Sequence, residues 1–419
     1  MTAVWQKSPT LVRDVVHPRR LAWVTLGLLG LLVLAGCEVK DDQAAHPAGE
    51  GHVHGRAHAL PGHGEVAVLP TDAELAATPA IDLGTATDVS GLVGRIADRR
   101  IVYLGEQHDR YEQHLLQLAI VRGLHERGVP VAIGLEQFQR RFQPVLDAFI
   151  AGEIDTPEML RRSEYYQRWR FDYRLYRPIL DYAREHGIPL VALNAEVELT
   201  RRVGEVGLAG LDAAERAQLP QDYAPATEAY RERLRDIFSQ HPGDRQRDFE
   251  HFVEAQLSWD ETMAESAVNY LAAHPQRQLV VLVGAGHVIH RHGIPDRVQR
   301  RRELADAVVL LGGHDDVGPR GADWMLLPPP ASLPPSGKMG ILMEDSERGV
   351  RVAEVVPDSG AAAAGMRKDD LLTAIDGQVV NATGDVRVAL FERMPGDTLV
   401  VTVRREDGES RLSLTLRAH

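Results

Sequence analysis

Two short motifs in this chain place a histidine just after an apolar run. Both have the form Gly-x-x-His: one ends at His108 and contains Glu106, and the other ends at His287. Glu136 follows a third apolar run. Two imidazoles and two carboxylates suit Zn, Mn or Fe with one position open for water, which the ion can activate for hydrolysis. The sequence therefore predicts a metal site of Glu106, His108, Glu136 and His287, with the two glutamates as catalytic candidates. Ordinary helix capping by these residues is the alternative.

The apolar runs predict the elements that hold these side chains. Each run is short and rich in β-branched residues, which is typical of buried parallel strands. Amphipathic stretches separate the runs, so we expect an α/β domain with a mainly parallel sheet and flanking helices. Ligands bind at the carboxyl ends of the strands in such sheets, where these polar residues converge. The predicted strands are Ile101–Leu104, Val131–Leu135, Leu190–Leu193, Leu279–Val283 and Ala307–Leu311.

Residues 199–275 have no strand pattern, and their apolar spacing predicts helices. We expect a helical insertion that forms one wall of the pocket, although a lid or a homodimer surface would have the same pattern. The α/β domain as a whole is placed at residues 90–327.

Composition and the single cysteine limit the class of protein. The 419 residues include 60 acidic and 47 basic side chains, a net charge of -13, which argues against a nucleic-acid partner. Cys37 is the one cysteine, so intramolecular disulfides, cysteine-ligated zinc and iron-sulfur clusters are excluded.

The sequence around Cys37 predicts export. Basic residues and then an apolar run precede it, and residues 34–37 read Leu-Ala-Gly-Cys, which resembles the bacterial lipobox. We expect a leader over residues 1–36 and a lipidated Cys37 that anchors the chain in the bacterial envelope, facing the periplasm or the exterior. A transmembrane anchor is the alternative, but the run is short for one. Residues 37–89 are predicted as a flexible His-rich tether, which is either a weak binder of metal or haem iron or only a polar spacer.

The α/β domain resembles the ChaN-like haem-binding proteins, which belong with the Tiki, TraB and erythromycin esterase proteins in one superfamily. The resemblance covers about residues 90–315. It rests on separated blocks in the right order, among them Tyr103–Asp109, Gly134–Phe138, Tyr176–Leu180, Phe252–Glu265 and Gly284–His287.

This resemblance implies haem binding, with the iron held by a tyrosine. Tyr173 and Tyr176 are the candidates, Arg174 and Arg177 would lower their pKa or pair with haem propionates, and Trp169 would face the macrocycle. A solvated helix with core aromatic residues is the alternative. The Tiki branch implies instead a metal-dependent peptidase that uses the two Gly-x-x-His motifs.

A second domain follows a proline-rich linker at residues 328–336. Residues 337–419 resemble a bacterial PDZ domain, which is β-rich with short helices. Such a domain binds a peptide or protein carboxyl terminus by strand addition. The carboxylate loop is predicted at Met339, Gly340 and Ile341, and the side-chain pocket at Val386 and Leu390. Packing against the neighbouring domain without binding a peptide is the alternative.

Three functions follow from these expectations. The first is an envelope lipoprotein that binds haem, with the PDZ domain docking a partner. The second is a metal-dependent hydrolase. The third is a scaffold without catalysis whose PDZ domain is its main activity.

Overall fold

The computed structural model describes residues 86–239, 248–313 and 321–418. The predicted leader, Cys37 and most of the tether lie outside the described residues, so those expectations stay predictions. Within the described part of the chain, none of the helices combines the length and apolar character needed to span a bilayer.

The first domain is built on a parallel sheet of six strands. Their order is β3-β2-β4-β1-β5-β6, and every neighbouring pair is parallel. The predicted α/β fold is confirmed, and all five predicted strands are present. The strands are β1 (Ile101–Glu106), β2 (Val131–Gln139), β3 (Leu190–Asn194), β4 (Gln278–Gly284), β5 (Asp306–Leu311) and the unpredicted β6 (Trp324–Leu326).

Among the residues that the structure describes, six helices cover one face of the sheet. Side chains at alternate strand positions, such as Val102 and Leu104, join the core on this side, as the two-residue period of a strand requires. The helices are α1 (Val89–Ile96), α2 (Tyr111–Glu126), α3 (Gln143–Ile150), α4 (Thr156–Arg162), α5 (Tyr165–Arg168) and α6 (Arg177–Glu185).

The predicted insertion is helical and supplies the cover of the other face. Ile101 and Tyr103 point to this side, where they share a core with Trp259 and Met263. The helices are α7 (Val197–Val206), α8 (Ala213–Ala217), α9 (Glu228–Ser239), α10 (Phe249–Ala273) and, after β4, α11 (Ile294–Arg301). Because α10 packs on β3 and α11, it is an integral layer of the domain.

The second domain has an antiparallel sheet in the order β12-β11-β9-β8-β7, with β10 paired to β9. Strand β7 therefore lies at an edge of the sheet. The strands are β7 (Ile341–Ser346), β8 (Gly349–Val355), β9 (Leu371–Ile375), β10 (Gln378–Val379), β11 (Thr398–Arg405) and β12 (Gly408–Thr415), and the helices are α12 (Gly360–Ala363) and α13 (Thr383–Leu390). This sheet has its own apolar core, which includes Val350, Val401 and Val386.

Candidate functional site

Three neighbouring strands bring the predicted site residues together. Strands β2, β4 and β1 are adjacent, and Glu106 at the end of β1 is in register with Gly284 at the end of β4. His108 and His287 follow these two ends, and each lies near a different carboxylate oxygen of Glu136 on β2. The Nε2 atoms of His108 and His287 lie 4.0 Å and 3.4 Å from the Glu136 carboxylate oxygens. We call these three residues the rim site.

The first imidazole is oriented by a buried carboxylate. His108 Nδ1 lies 2.8 Å from Glu106 Oε1, and the same oxygen accepts the Tyr176 hydroxyl at 2.7 Å. The second oxygen accepts Gln117 Nε2 at 2.5 Å and lies 3.1 Å from His114 Nδ1. Both oxygens are therefore taken up by protein donors, and Glu106 has no solvent exposure. In this arrangement Glu106 orients His108, and its role as a metal ligand or catalytic residue stays a prediction.

The second imidazole has a matching support. His287 Nδ1 lies 2.6 Å from Asp260 Oδ1, and Asp260 Oδ2 accepts the Tyr230 hydroxyl at 2.6 Å. Gln256 Nε2 lies 3.2 Å from the same His287 nitrogen. In both halves, Nδ1 faces a buried carboxylate and Nε2 faces Glu136. This arrangement fixes the tautomer and ring plane of an imidazole.

The sequence analysis gave no role to Asp260 and Tyr230. Asp260 lies one turn after Gln256 on α10, so the pair shares one helix face, and that spacing was the available signal. Their partner His287 is distant in the chain, and the spacing alone does not identify it.

A glycine makes room for the first histidine. A Cβ at Gly284 would lie 3.0 Å from both Cε1 and Nε2 of His108, closer than side chains normally pack. The Gly284 N-H also donates to Glu136 Oε2 at 2.7 Å. Gly284 of the second motif thus leaves the space that His108 of the first motif occupies.

Charge compensation sets the protonation of the rim site. Burial raises the pKa of Glu136, but His287, His108 and the Gly284 N-H outweigh burial and lower it overall. Burial lowers the pKa of His287, but Glu136 and Asp260 outweigh it and raise the pKa to about 10. Burial likewise opposes ionisation of Glu106, whose pKa is nevertheless held far below its ordinary range by His114 and His108. At neutral pH, His287 is a proton donor and Glu136 is a carboxylate.

The predicted metal site is not preformed. Among residues 86–239, 248–313 and 321–418, no group of three or more His, Cys, Asp or Glu side chains is arranged to hold a metal ion. His108, Glu136 and His287 do meet, but His287 and Glu136 are paired with each other. Binding of a cation there would have to displace the His287 proton.

Two aromatic side chains cover the outer side of His108. The ring centroid of Trp169 lies 4.7 Å from that of His108, and the Phe171 centroid lies 5.0 Å from it. Trp169 thus contacts a rim residue, although it was predicted to face a haem.

The other predicted haem residues are placed differently from the prediction. Tyr173 is fully buried and Tyr176 is 1% exposed. Burial raises the pKa of both phenols, which is the opposite of what a phenolate ligand requires. Arg174 pairs with Asp172 at 2.6 Å, and Arg177 pairs with an aspartate on α6 at 3.1 Å. These residues therefore do not fit a haem site as they stand.

The predicted peptide site of the second domain is partly in place. Gly340 has φ +78°, and a Cβ there would collide with Ser359. Met339 and Ile341 on either side are buried in the domain core, as is Val386. The predicted place of Val386 in the side-chain pocket stays a prediction. Leu390 is only partly buried, beside the same core.

Comparison with known proteins identifies both domains. Residues 92–298 match the family described as "Haem-binding uptake, Tiki superfamily, ChaN", and residues 337–416 match the PDZ domain. The chain carries a ChaN-type domain followed by a PDZ domain. The first match spans all the residues of the rim site.

Individual relatives resemble parts of this arrangement. Over 239 residues the chain is 26% identical to Protein RETICULATA-RELATED 5, chloroplastic, of Arabidopsis thaliana, covering 52% of this chain and 31% of that protein. Over 72 residues it is 31% identical to the periplasmic pH-dependent serine endoprotease DegQ of Escherichia coli, covering 17% of this chain and 16% of that protein. The chain thus spans less than a third of the length of these curated relatives.

A solved structure of ChaN of Campylobacter jejuni, titled for its cofacial haem binding, is also similar. It is 18% identical, with 57% of this chain and 91% of that chain covered and a TM-score of 0.48.

The charge arrangement of the ChaN-type domain predicts a pH dependence of stability. The pKa of His287 is about 10 in the folded chain and 6.5 in the unfolded chain. Its contribution to the free energy of unfolding is therefore fully present below pH 6.5 and is lost as the pH rises through 10. Asp260→Asn removes one of the two carboxylates that raise this pKa. Urea unfolding at pH 6 and pH 10 should show that the variant loses less stability across this interval than wild type, by roughly 2 kcal/mol. Asp98→Asn, at an exposed side chain, is the matched control. Equal losses in wild type and Asp260→Asn would contradict the assignment.

Proposed function

We propose that this chain is a haem-binding lipoprotein of the bacterial envelope whose PDZ domain docks the carboxyl terminus of a peptide or protein. The observation that carries the haem function is the match of residues 92–298 to a haem-binding family. The lipobox-like residues 34–37 support the envelope location. Loss of membrane association in a Cys37→Ser variant would be expected if Cys37 carries the anchor.

A haem site needs an accessible ligand, and Tyr173 and Tyr176 do not supply one. Tyr111 fits better. It begins α2, is half-buried, and lies beside the exposed Arg110. Leu115, one turn further along the same face, is 36% exposed. A tyrosine that is not fully buried, a cation and an apolar surface are the groups that a ferric haem with propionates requires.

Hemin titration tests this proposal. Full-length protein should shift the Soret band on addition of hemin. Tyr111→Phe should weaken binding by about tenfold if the phenol ligates the iron. The Tyr173→Phe/Tyr176→Phe double variant is the matched control and should bind as wild type does, because both phenols are buried. An absent Soret shift would refute haem binding, and a defect confined to the control variant would refute the choice of Tyr111.

The PDZ domain offers an edge strand and a glycine turn for peptide docking. β7 ends the sheet, so an extended peptide can pair with its outer edge. The positive φ of Gly340, just before β7, lets the turn direct N-H groups towards a terminal carboxylate. Leu390 of α13 is half-buried beside the core of this domain, which is consistent with the predicted side-chain contact.

Fluorescence anisotropy with a labelled pentapeptide that ends in a free valine tests the docking. Gly340→Ala should weaken binding by about tenfold, because the added methyl collides with Ser359 and φ is strained. Gly365→Ala is a close control, since Gly365 also has φ +78° but no atom lies within 4 Å of its Cβ position. Equal binding of the free and the amidated peptide would contradict carboxylate recognition.

A second function, hydrolysis at the rim site, is favoured by the two matched imidazoles. Each is aimed at Glu136 by a buried carboxylate, as in sites where histidines hold a metal or transfer protons. With Glu106 occupied as a positioning residue, Glu136 is the remaining candidate for a general base. A bound Zn, Mn or Fe ion would supply water activation, held by His108, Glu136 and His287.

Thermal unfolding with and without Zn²⁺ or Mn²⁺ tests the metal version of this function. A bound ion should raise the melting temperature of wild type by about 3 °C or more, and more at pH 9 than at pH 6, because binding displaces the His287 proton. The His108→Ala/His287→Ala variant should lose this shift. His274→Ala, at the distant end of α10, should keep it. Metal-independent unfolding of wild type at both pH values would argue against the metal site.

A further inference from the structure

The segment over His108 is held in a strained conformation. We call Glu164–Asp172 the aromatic flap, because its Trp169 and Phe171 cover the His108 ring. Under this cover His108 is only 3% exposed. Glu164 and Arg170 have φ of +51° and +72°, a region that side chains other than glycine rarely occupy. Strain of this kind persists only where the surroundings impose it.

The surroundings that hold the flap include the PDZ domain. Arg387 on α13 donates from Nη1 to the carbonyl oxygen of Arg170 at 3.2 Å, next to the strained peptide. The Arg387 guanidinium also lies 5.6 Å from the centre of the Tyr166 ring. At Gly384, one turn earlier on α13, the Gln167 amide lies where a Cβ would be.

The same helix is shared between the two apolar cores. Val388 and Phe391 pack into the core of the ChaN-type domain, whereas Val386 packs into the PDZ core. The Phe391 ring lies 6.0 Å from the Tyr173 ring, just after the flap. Glu392 pairs with Arg177 at 2.9 Å. Both domains belong to the compact unit that includes residues from Thr87 onward.

Helix α13 also packs beside the edge strand β7. The N-H of Thr383 donates to Asp345 Oδ1 of β7 at 2.7 Å, so the start of the helix is tied to the strand that a peptide would join under the proposed docking. A peptide that entered between β7 and α13 would therefore act on the element that holds the flap.

We propose that the PDZ domain clamps the aromatic flap over the rim site through Arg387 and Phe391, and that a peptide carboxyl terminus bound beside α13 releases the flap and exposes His108. Arg387 and Phe391 are positioning residues in this arrangement, since neither touches the rim site. The peptide arm of this inference rests on the proposed docking function. The clamp itself does not, because it can be broken by substitution without any peptide.

Covalent labelling with diethyl pyrocarbonate, read by mass spectrometry, tests the clamp. In Arg387→Ala/Phe391→Ala, His108 should be labelled about tenfold faster than in wild type, and amide hydrogen exchange in residues 164–172 should accelerate. His274, half-buried at the far end of α10, is the internal control and should be labelled at the same rate in both proteins. Arg404→Ala, at an exposed arginine of β11, is the matched variant and should behave as wild type does.

The peptide arm uses wild type and a pentapeptide that ends in a free valine. Saturating peptide should speed His108 labelling, and the amidated peptide should not. Unchanged His108 labelling and flap exchange in the double variant would overturn the clamp. If His108 is labelled faster in the double variant but bound peptide does not change its labelling rate in wild type, the clamp stands and its release by peptide is overturned. If anisotropy shows no peptide binding, the docking function fails separately. Arg387→Ala alone keeps the test valid if the double variant does not fold.

Discussion

The rim site depends on keeping Glu106 and Glu136 ionised where little water reaches them. An uncompensated buried carboxylate would cost several kcal/mol or take up a proton. Glu106 avoids this through four donors, which come from α2, the loop after β1 and the start of α6. Glu136 avoids it through His287 and a backbone N-H at the end of β4. These needs fix how the strands and helices must meet at this edge of the sheet.

The carboxylates that orient the two histidines, Glu106 for His108 and Asp260 for His287, lie in different surroundings. The Asp260–His287 half is built from α9 and α10, which belong to the layer that covers one face of the sheet, and from the end of β4. The Glu106–His108 half is covered instead by the aromatic flap, which consists of the short helix α5 and the turn after it, with Glu164 and Arg170 at positive φ. Trp169 and Phe171 of this turn are only half-buried. The proposed access to the rim site is therefore from the His108 side.

The sequence was sufficient to predict the main strands and helices, but not to predict which residues pair with the buried charged groups. The five long strands were predictable because each is a local apolar run rich in β-branched residues, whereas β6 has three residues and none of them is β-branched. The donors to Glu106, which are Gln117, His114 and Tyr176, could not be predicted because they come from other elements. Arg174 and Arg177 were predicted to lower the pKa of the tyrosines or to pair with haem propionates. In the fold, Asp172 and residues of α6 and the PDZ domain neutralise these arginines.

Burial also separates the two chemistries that the ChaN-type domain is proposed to perform. His108, Glu136 and His287 are each at most 6% exposed, so a macrocycle the size of haem has no contact with them in this conformation. A small molecule or ion needs less space to reach the rim site, because displacement of Trp169 and Phe171 alone would uncover His108. The proposed haem ligand Tyr111 is half-buried and lies outside the rim site, at the start of α2. The proposed clamp acts instead through α13, on the flap that covers His108.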